Sequence, residues 1–562
     1  VIRERLRLLY GQEAGEGAAV ELGRIIERFR GRVGSRAAGS RFDERDALLI
    51  TYGDTFLSGQ AQPLAALDDF ASRHLEGRVS GIHVLPFFPY SSDYGFSVVD
   101  YLRVNPELGS WEEIGALGSR FRLMFDFVLN HVSAESHWFQ AFLRCEPPYD
   151  EFFIVEDPAT DLSAVRRPRT SPLLTRYETA SGPKWVWTTF SADQVDLNYR
   201  NPRLLLRMAE VMLEYVARGA DLLRLDAVGY LWKEVGTSCL HLPQTHEVIK
   251  LLREVLDQVA PHVAIVTETN VPHEENVTYF GDGHDEAQMV YQFPLAPLVL
   301  DALARGDASH LAGWAEELTV PSEQTAFFNF LASHDGVGVL PAQGILSDQE
   351  IAGLVARVRA HGGDVSYRTN PDGGESVYEL NTTFFDALND PRDEAEPWSL
   401  KLNRFLCSQA IMLALAGVPG IYVHSLFGSH NDLDGFTRSR WKRDLNHERL
   451  AILEVERRLA DPATQAAQIF SRCARLLEAR RRQPALHPNA PQRVLAAGRS
   501  VFCLERGPRE GQTLVALHNL TPETQTVSLP GLSGCLDAIS ARSFPGEGPL
   551  RLGPYEVLWL SS

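Results

Sequence analysis

Apolar residues gather in eight short runs, at 47–52, 82–87, 123–129, 221–228, 263–267, 288–293, 326–331 and 418–424. Each reads as a short buried strand, and most are followed by a stretch of helical periodicity. Strand and helix in alternation predict a parallel sheet. Eight such units predict a closed (β/α)8 TIM barrel, an α/β fold whose chemistry collects at the carboxyl ends of the strands. Two connections are too long to be plain loops. One, rich in Pro, Arg and aromatics, is expected as an insertion after strand three. The other, with turn signals at Gly362-Gly363 and 370–374, is expected as an insertion after strand seven. Beyond about 490, short β-like runs at 500–504, 513–518 and 556–560 alternate with Gly/Pro turns and predict a C-terminal antiparallel β domain. Residues 1–45 read as helical, polar and Arg/Glu-rich, with a Gly-rich interruption. The expected division is a barrel from 1–132, 196–335 and 396–490, inserts at 133–195 and 336–395, and a β domain at 491–562.

Polar residues stand at or just past the ends of six runs: Asp54; Asp93; Asn130 and His131; Arg224 and Asp226; Glu268; His334 and Asp335. Alternate side chains of a strand share a face, so Arg224 and Asp226 point the same way and the cation is expected to keep the acid ionised. A structural salt bridge explains one such pair, but capping alone does not explain six runs. Asp226 and Glu268 end neighbouring strands. Two carboxyl groups about 5 Å apart are the apparatus of retaining glycoside chemistry, one attacking the anomeric carbon and the other serving as acid and base. His334 and Asp335 would then bind sugar hydroxyls and favour a distorted, cationic ring.

The net charge of -19 argues against a general nucleic-acid or anionic-membrane surface. Any anion site must therefore gather its arginines locally, and 166–169 carries Arg166, Arg167 and Arg169 together. Six scattered cysteines without a CxxC spacing read as free thiols. The start is charged and lacks a signal-peptide core, and Val1 in place of Met is expected of a sequence missing a few leading residues. No apolar stretch reaches membrane-helix length. A cytoplasmic protein, monomer or homodimer, is expected. No spacing resembles a Ca²⁺ loop, and His241 and His246 read as non-ligands, so neither metal nor cofactor is expected.

Asp126-Phe127-Val128-Leu129-Asn130-His131, Arg224-Leu225-Asp226-Ala227-Val228, Thr267-Glu268-Thr269 and Ser333-His334-Asp335 resemble, in order, the four short motifs of the α-amylase family, glycoside hydrolase family 13. The resemblance implies Asp226 as nucleophile, Glu268 as acid/base, Asp335 as transition-state stabiliser, and His131, Arg224 and His334 as sugar ligands. The 91–101 and 227–239 segments and Arg167-Pro168-Arg169 are similar to the sucrose phosphorylase branch. That similarity implies a closed glucose pocket with Asp93 and Phe96, Tyr230 at its rim, phosphate as co-substrate, and acceptor-side arginines Arg169 and Arg443. The stretch Ser376-Val377-Tyr378-Glu379-Leu380 has Glu379 where sucrose phosphorylases tend to carry Gln. With 268–273, 334–338 and 428–432 it looks more like the glucosylglycerate phosphorylases, which implies phosphorolysis of a glucosylglycerate, with Tyr378 and Glu379 on the acceptor side. Sucrose or sucrose 6'-phosphate as substrate, simple hydrolysis of an α-glucoside, and a non-catalytic barrel are the alternatives. Asn130 lies where many amylases bind Ca²⁺, an ion the phosphorylase branch generally lacks.

Overall fold

Strand formation follows the apolar runs closely. The barrel strands are β1 (Leu48–Thr51), β2 (Gly81–Val84), β3 (Arg122–Val128), β4 (Ala220–Asp226), β5 (Ala264–Thr267), β6 (Met289–Tyr291), β7 (Ala326–Phe330) and β8 (Val418–Tyr422). They pair in parallel, each with its chain neighbours, and β1 closes the barrel against β8. Only the first residue of β3 is not fully buried, as expected of strands covered on the inside by packed side chains and on the outside by helices. Gly420 of β8 is required by that packing, because a Cβ there would lie 2.4 Å from the Phe328 ring. The computed structural model describes residues 1–34, 41–370, 374–529, 534–544 and 548–561. Most of the expected 370–374 turn, at 371–373, lies outside the described residues, as does 35–40 of the N-terminal Gly-rich stretch.

The long connections carry their own small sheets. Between β3 and β4, the hairpin Leu174–Thr179/Gly182–Trp187 projects from a base in which His131–Ser133 pairs with Gln194–Asp196. After β7, Val337–Gly338, Glu375–Asn381 and Asp364–Thr369 form a three-stranded antiparallel sheet beside the helix Asp348–Ala360. At the C-terminus six antiparallel strands form one sheet. Its alternation serves two cores. Phe502, Leu504, Leu514, Ala516 and Trp559 pack into the barrel's hydrophobic core. Val501, Cys503, Val515, Leu517, Leu558 and Leu560 form a second one. The N-terminal helices Ile2–Tyr10 and Gln12–Arg30 pair closely at Gly15 and bury Leu22, Ile25, Ile26 and Phe29.

The base of the first insertion is pinned by a buried lysine. Lys233 Nζ lies 2.6 Å from Asp196 Oδ2 and donates to Asn130 Oδ1 at 2.6 Å. An ammonium thus stands between the two oxygen-bearing side chains at the Asn130 position. Removing one partner of a buried pair leaves an uncompensated charge. Lys233→Met is therefore expected to destabilise the protein by about 3–5 kcal/mol in urea unfolding; a loss under about 1 kcal/mol would show that Asp196 does not depend on it.

Candidate active site

The register of the barrel sets the site. Val128 of β3 lies opposite Asp226 of β4, and Asp126 lies opposite Arg224. On the other side Val266 pairs with Arg224 and Thr267 with Leu225. The next residue of β5 is Glu268, whose N–H donates to Leu225 O at 3.3 Å. Asp226 and Glu268 thus follow in register on adjacent strands, whose backbones lie about 4.8 Å apart. The Ala227 N–H closes the corner by donating to Glu268 Oε2 at 3.1 Å. Ala227 takes a left-handed conformation, φ 49°, which is strained for a residue with a Cβ.

Arg224 is fully buried and faces three carboxylates. Its Nη1 donates to Asp126 Oδ1 and, at 3.0 Å, to Asp226 Oδ1, while Nη2 lies 3.9 Å from Glu268 Oε2. His83 holds the other Asp126 oxygen at 2.7 Å. Burial pushes Asp126 up, but Arg224 and His83 outweigh it and hold its pKa below the usual carboxylate range. At Asp226 the balance differs: Arg224 favours the charged form but does not hold the pKa low. Burial, with Asp126, Asp335 and Asp93 adding repulsion, outweighs Arg224 and raises Asp226 to about 7. Burial likewise raises Glu268 to about 7 despite Arg224. Protons in such a pair belong to both groups. The nearer guanidinium contact favours charge on Asp226 and leaves the proton on Glu268.

Asp335 is the third acid. Its Oδ2 lies 3.1 Å from His334 Nε2 and its Oδ1 accepts from Arg443 Nη2 at 2.6 Å. Burial works against its charge, but His334 and Arg443 win and hold it far below the normal range. Arg443 also donates to Asp93 Oδ1 at 3.0 Å and to Asp93 O at 3.2 Å. This corrects the reading of Arg443 as an acceptor-side arginine: both of its terminal nitrogens are engaged by the acids at the expected glucose pocket. Phe96 stacks on His334, with centroids 4.8 Å apart and planes 11° apart, and Arg224 and Arg443 lie within 5.5 Å of its ring. The turn that presents Asp93 and Phe96 has three consecutive positive φ angles, at Asp93, Tyr94 and Gly95. At Gly95 a Cβ would lie 2.5 Å from Pro86 O. Ser91, Ser92 and Ser97 all donate to Asp193 and hold this strained turn in place.

His131 Nε2 meets Phe96 O at 3.0 Å. Gln194 Nε2 bridges Asp93 Oδ2 at 3.1 Å and His131 Nε2 at 3.2 Å. Sequence reading missed Gln194, Asp193, His83 and Phe190, whose ring stands edge-on to Tyr230 at 5.6 Å.

Outside this layer, Tyr230 and Tyr378 line a cleft of about 660 Å3. The Arg169 guanidinium sits 5.9 Å from the centre of the Tyr378 ring. Burial opposes its charge, but Glu379 and Tyr378 more than restore it. Glu379 is buried on Glu375–Asn381, and burial with repulsion from Asp335 raises it to about 8 despite Arg169 and Arg443. Arg166 turns outward to Glu275 at 3.3 Å. His241 pairs with the same Glu275 at 3.2 Å, and His246 with Glu286 at 2.8 Å. Asp301, His310 and Glu350 form the one group of metal-ligand type among the described residues. Arg305 joins it, 3.0 Å from Asp301 and 2.8 Å from Glu350, which makes it an ion-pair network.

Comparison with known proteins agrees with this geometry. The Alpha-amylase family, described as alpha amylase, catalytic domain, matches residues 76–338. A D-apionate lactonase C-terminal immunoglobulin-like domain matches 490–560. The glucosylglycerate phosphorylase of Allomeiothermus silvanus is 53% identical, covering 100% of this chain and 98% of that protein. The one from Escherichia coli K12 is 43% identical, covering 100% and 99%. The chain belongs to the glucosylglycerate phosphorylase group of the α-amylase family. A sucrose phosphorylase from Bifidobacterium adolescentis is more distant, at 28% identity over 77% of this chain and 85% of that one. The crystal structure of sucrose 6F-phosphate phosphorylase from Thermoanaerobacter thermosaccharolyticum shares the fold, with a TM-score of 0.73 at 24% identity over 86% and 94% of the two chains.

Membership of the α-amylase family makes the raised acid Glu379 a useful probe. A buried carboxyl titrating near 8 when folded, against an ordinary value near 4.5, holds its proton more tightly in the folded state. Its contribution to stability is complete below the ordinary value and is lost as pH rises through 8. Glu379→Gln is therefore expected to be more stable to unfolding than wild type by an amount that grows from pH 5 to pH 8.5, reaching of order 3 kcal/mol in urea unfolding. An offset that does not change with pH would contradict the assignment.

Proposed function

We propose that this chain is a retaining phosphorylase that reversibly converts 2-O-α-D-glucosyl-D-glycerate and phosphate into α-D-glucose 1-phosphate and D-glycerate. The observation that carries the reading is the full-length kinship with glucosylglycerate phosphorylases, joined to two carboxyl groups in register beneath an arginine-lined cleft.

In this reading Glu268 protonates the glycosidic oxygen while Asp226 attacks the anomeric carbon. D-Glycerate leaves a glucosyl-enzyme. Phosphate then attacks from the vacated side, returning a proton to Glu268, and two inversions give net retention. The depressed pKa of Asp335 keeps it anionic beside the cationic transition state. Asp93, Phe96, His131, His334 and Arg443 surround the glucosyl unit. Arg169, near Tyr378 and Glu379, faces phosphate and glycerate in turn, because a guanidinium fork suits both anions. Glu379, protonated near neutrality, can donate to an acceptor oxygen as the amide of Gln would. No cofactor enters the scheme; phosphate is a co-substrate.

We place the protein in the cytoplasm, acting on small molecules and not on nucleic acid. The six cysteines are all free, which suits a reducing compartment. Among the described residues no helix is long and apolar enough to cross a membrane.

The test is release of glucose 1-phosphate from glucosylglycerate, sucrose and glucosylglycerol, with and without phosphate. Phosphate-dependent release from glucosylglycerate, well above the other two, is expected. Preference for sucrose would overturn the acceptor, and free glucose released without phosphate would overturn the reaction class. Asp226→Asn is expected to cut kcat/KM by about 10⁴-fold with the fold intact; a loss under tenfold would remove Asp226 from the attacking role.

A further inference from the structure

The cleft outside Tyr230 and Tyr378 is larger than glycerate requires. At about 660 Å3 it lies within the range that houses drug-sized ligands, and a three-carbon acid fills a small part of it. Three guanidinium groups line its outer part: Arg166, Arg167 and Arg368. Two are engaged by the protein. Arg166 meets Glu275 at 3.3 Å, and Arg368 Nε donates to Ser376 Oγ at 3.1 Å. Arg167 differs. Its Nε and Nη2 are buried without a hydrogen-bond partner, and burial lowers its pKa with no neighbouring acid to offset it. Arg167 as a whole is half-buried, but two guanidinium nitrogens shielded from water without an acceptor are costly, and a bound anion would relieve them. Asn270, also on the cleft wall, has a buried Oδ1 without a partner, an acceptor suited to a hydroxyl.

The carboxylate of glycerate does not fit that place. In glucosylglycerate it is bonded to the carbon that carries the glycosidic oxygen, so it lies beside Glu268. The groups that feel the charge of Glu268 from the cleft side are Tyr230, Tyr378 and Glu379. Glu268, Glu379 and Arg169 are not among the residues that line this cleft, whereas Arg167 is. Arg167 therefore belongs to a second, outer layer.

We propose that Arg167 anchors an outer anion subsite, and that the enzyme also glucosylates polyhydroxylated acceptors bearing a carboxylate or phosphate several bonds beyond the accepting hydroxyl. The inference rests on the reaction proposed above. With glucose 1-phosphate as donor, Glu268 gives its proton to the departing phosphate as Asp226 bonds to C1. The acceptor oxygen then bonds to C1, the C1–Asp226 bond breaks, and the acceptor's hydroxyl proton passes to Glu268.

The experiment measures phosphate release from α-D-glucose 1-phosphate by the full chain with glycerate, gluconate, glucitol 6-phosphate or glucitol as acceptor. At least one of the two long anions is expected to exceed neutral glucitol at least tenfold in kcat/KM, and which one does distinguishes a carboxylate from a phosphate subsite. Arg167→Gln is expected to reduce that preference to threefold or less while changing kcat/KM for glycerate by less than twofold. Arg167→Lys, which keeps the charge without the fork, is expected to fall between, and it serves if the Gln variant does not fold. Two results overturn the subsite: neither long anion outperforms glucitol in wild type, or both substitutions weaken glycerate as much as the long anions. Absence of any release with glycerate would instead overturn the underlying reaction.

Discussion

One buried guanidinium organises the reactive end of the barrel. Arg224 lies between Asp126, Asp226 and Glu268, acids carried by three successive strands. Removing it would leave three carboxyl groups crowded in a poorly solvated space, where repulsion and desolvation both oppose ionisation. Its value is in the division it imposes. Asp126, tied on both oxygens, stays charged and inert. Asp226 and Glu268 share what remains, with both pKa values lifted to near neutrality. An attacking carboxylate and a proton donor can then coexist at one pH on two residues of nearly the same chemistry.

A second guanidinium closes the circle. Arg443 reaches back across 350 residues to Asp93 and also binds Asp335, joining the segment after β8 to the turn after β2 and the loop after β7. The site therefore exists only when the barrel is closed. Local strain accompanies this: the Asp93-Tyr94-Gly95 turn and Ala227 hold left-handed angles that the surroundings must enforce. Asp193, from the first insertion, does part of that by taking three serine hydroxyls. The insertion is thus support for the pocket as well as one wall of the cleft.

Much of this was legible in the chain itself. Each of the eight apolar runs overlaps a barrel strand, with strand starts within one residue of the run, because strands buried on both faces leave a continuous apolar signature. The runs overshoot the strands, as 221–228 does against Ala220–Asp226, because residues past the ladder stay buried under the rim loops. Strand alternation was enough to place Arg224 beside Asp226. It could not reveal that Asp126 sits in register opposite Arg224 and competes for it, so the raised pKa of Asp226 was not legible. Arg443 was misplaced for a related reason: nothing near it in sequence shows that its partners lie after β2 and β7. Gln194 and Asp193 were invisible because their roles come from pairing across the base of the insertion.

The central claim is that the charge in the Asp226–Glu268 pair resides on Asp226 when the sugar arrives. Rapid acid quenching of the enzyme mixed with glucosylglycerate in the absence of phosphate, followed by peptide mass spectrometry, tests it directly. The account predicts a glucosyl adduct on the peptide containing Asp226, discharged when phosphate is added before the quench. An adduct on Glu268 or elsewhere, or turnover with no adduct under any quench, would contradict it.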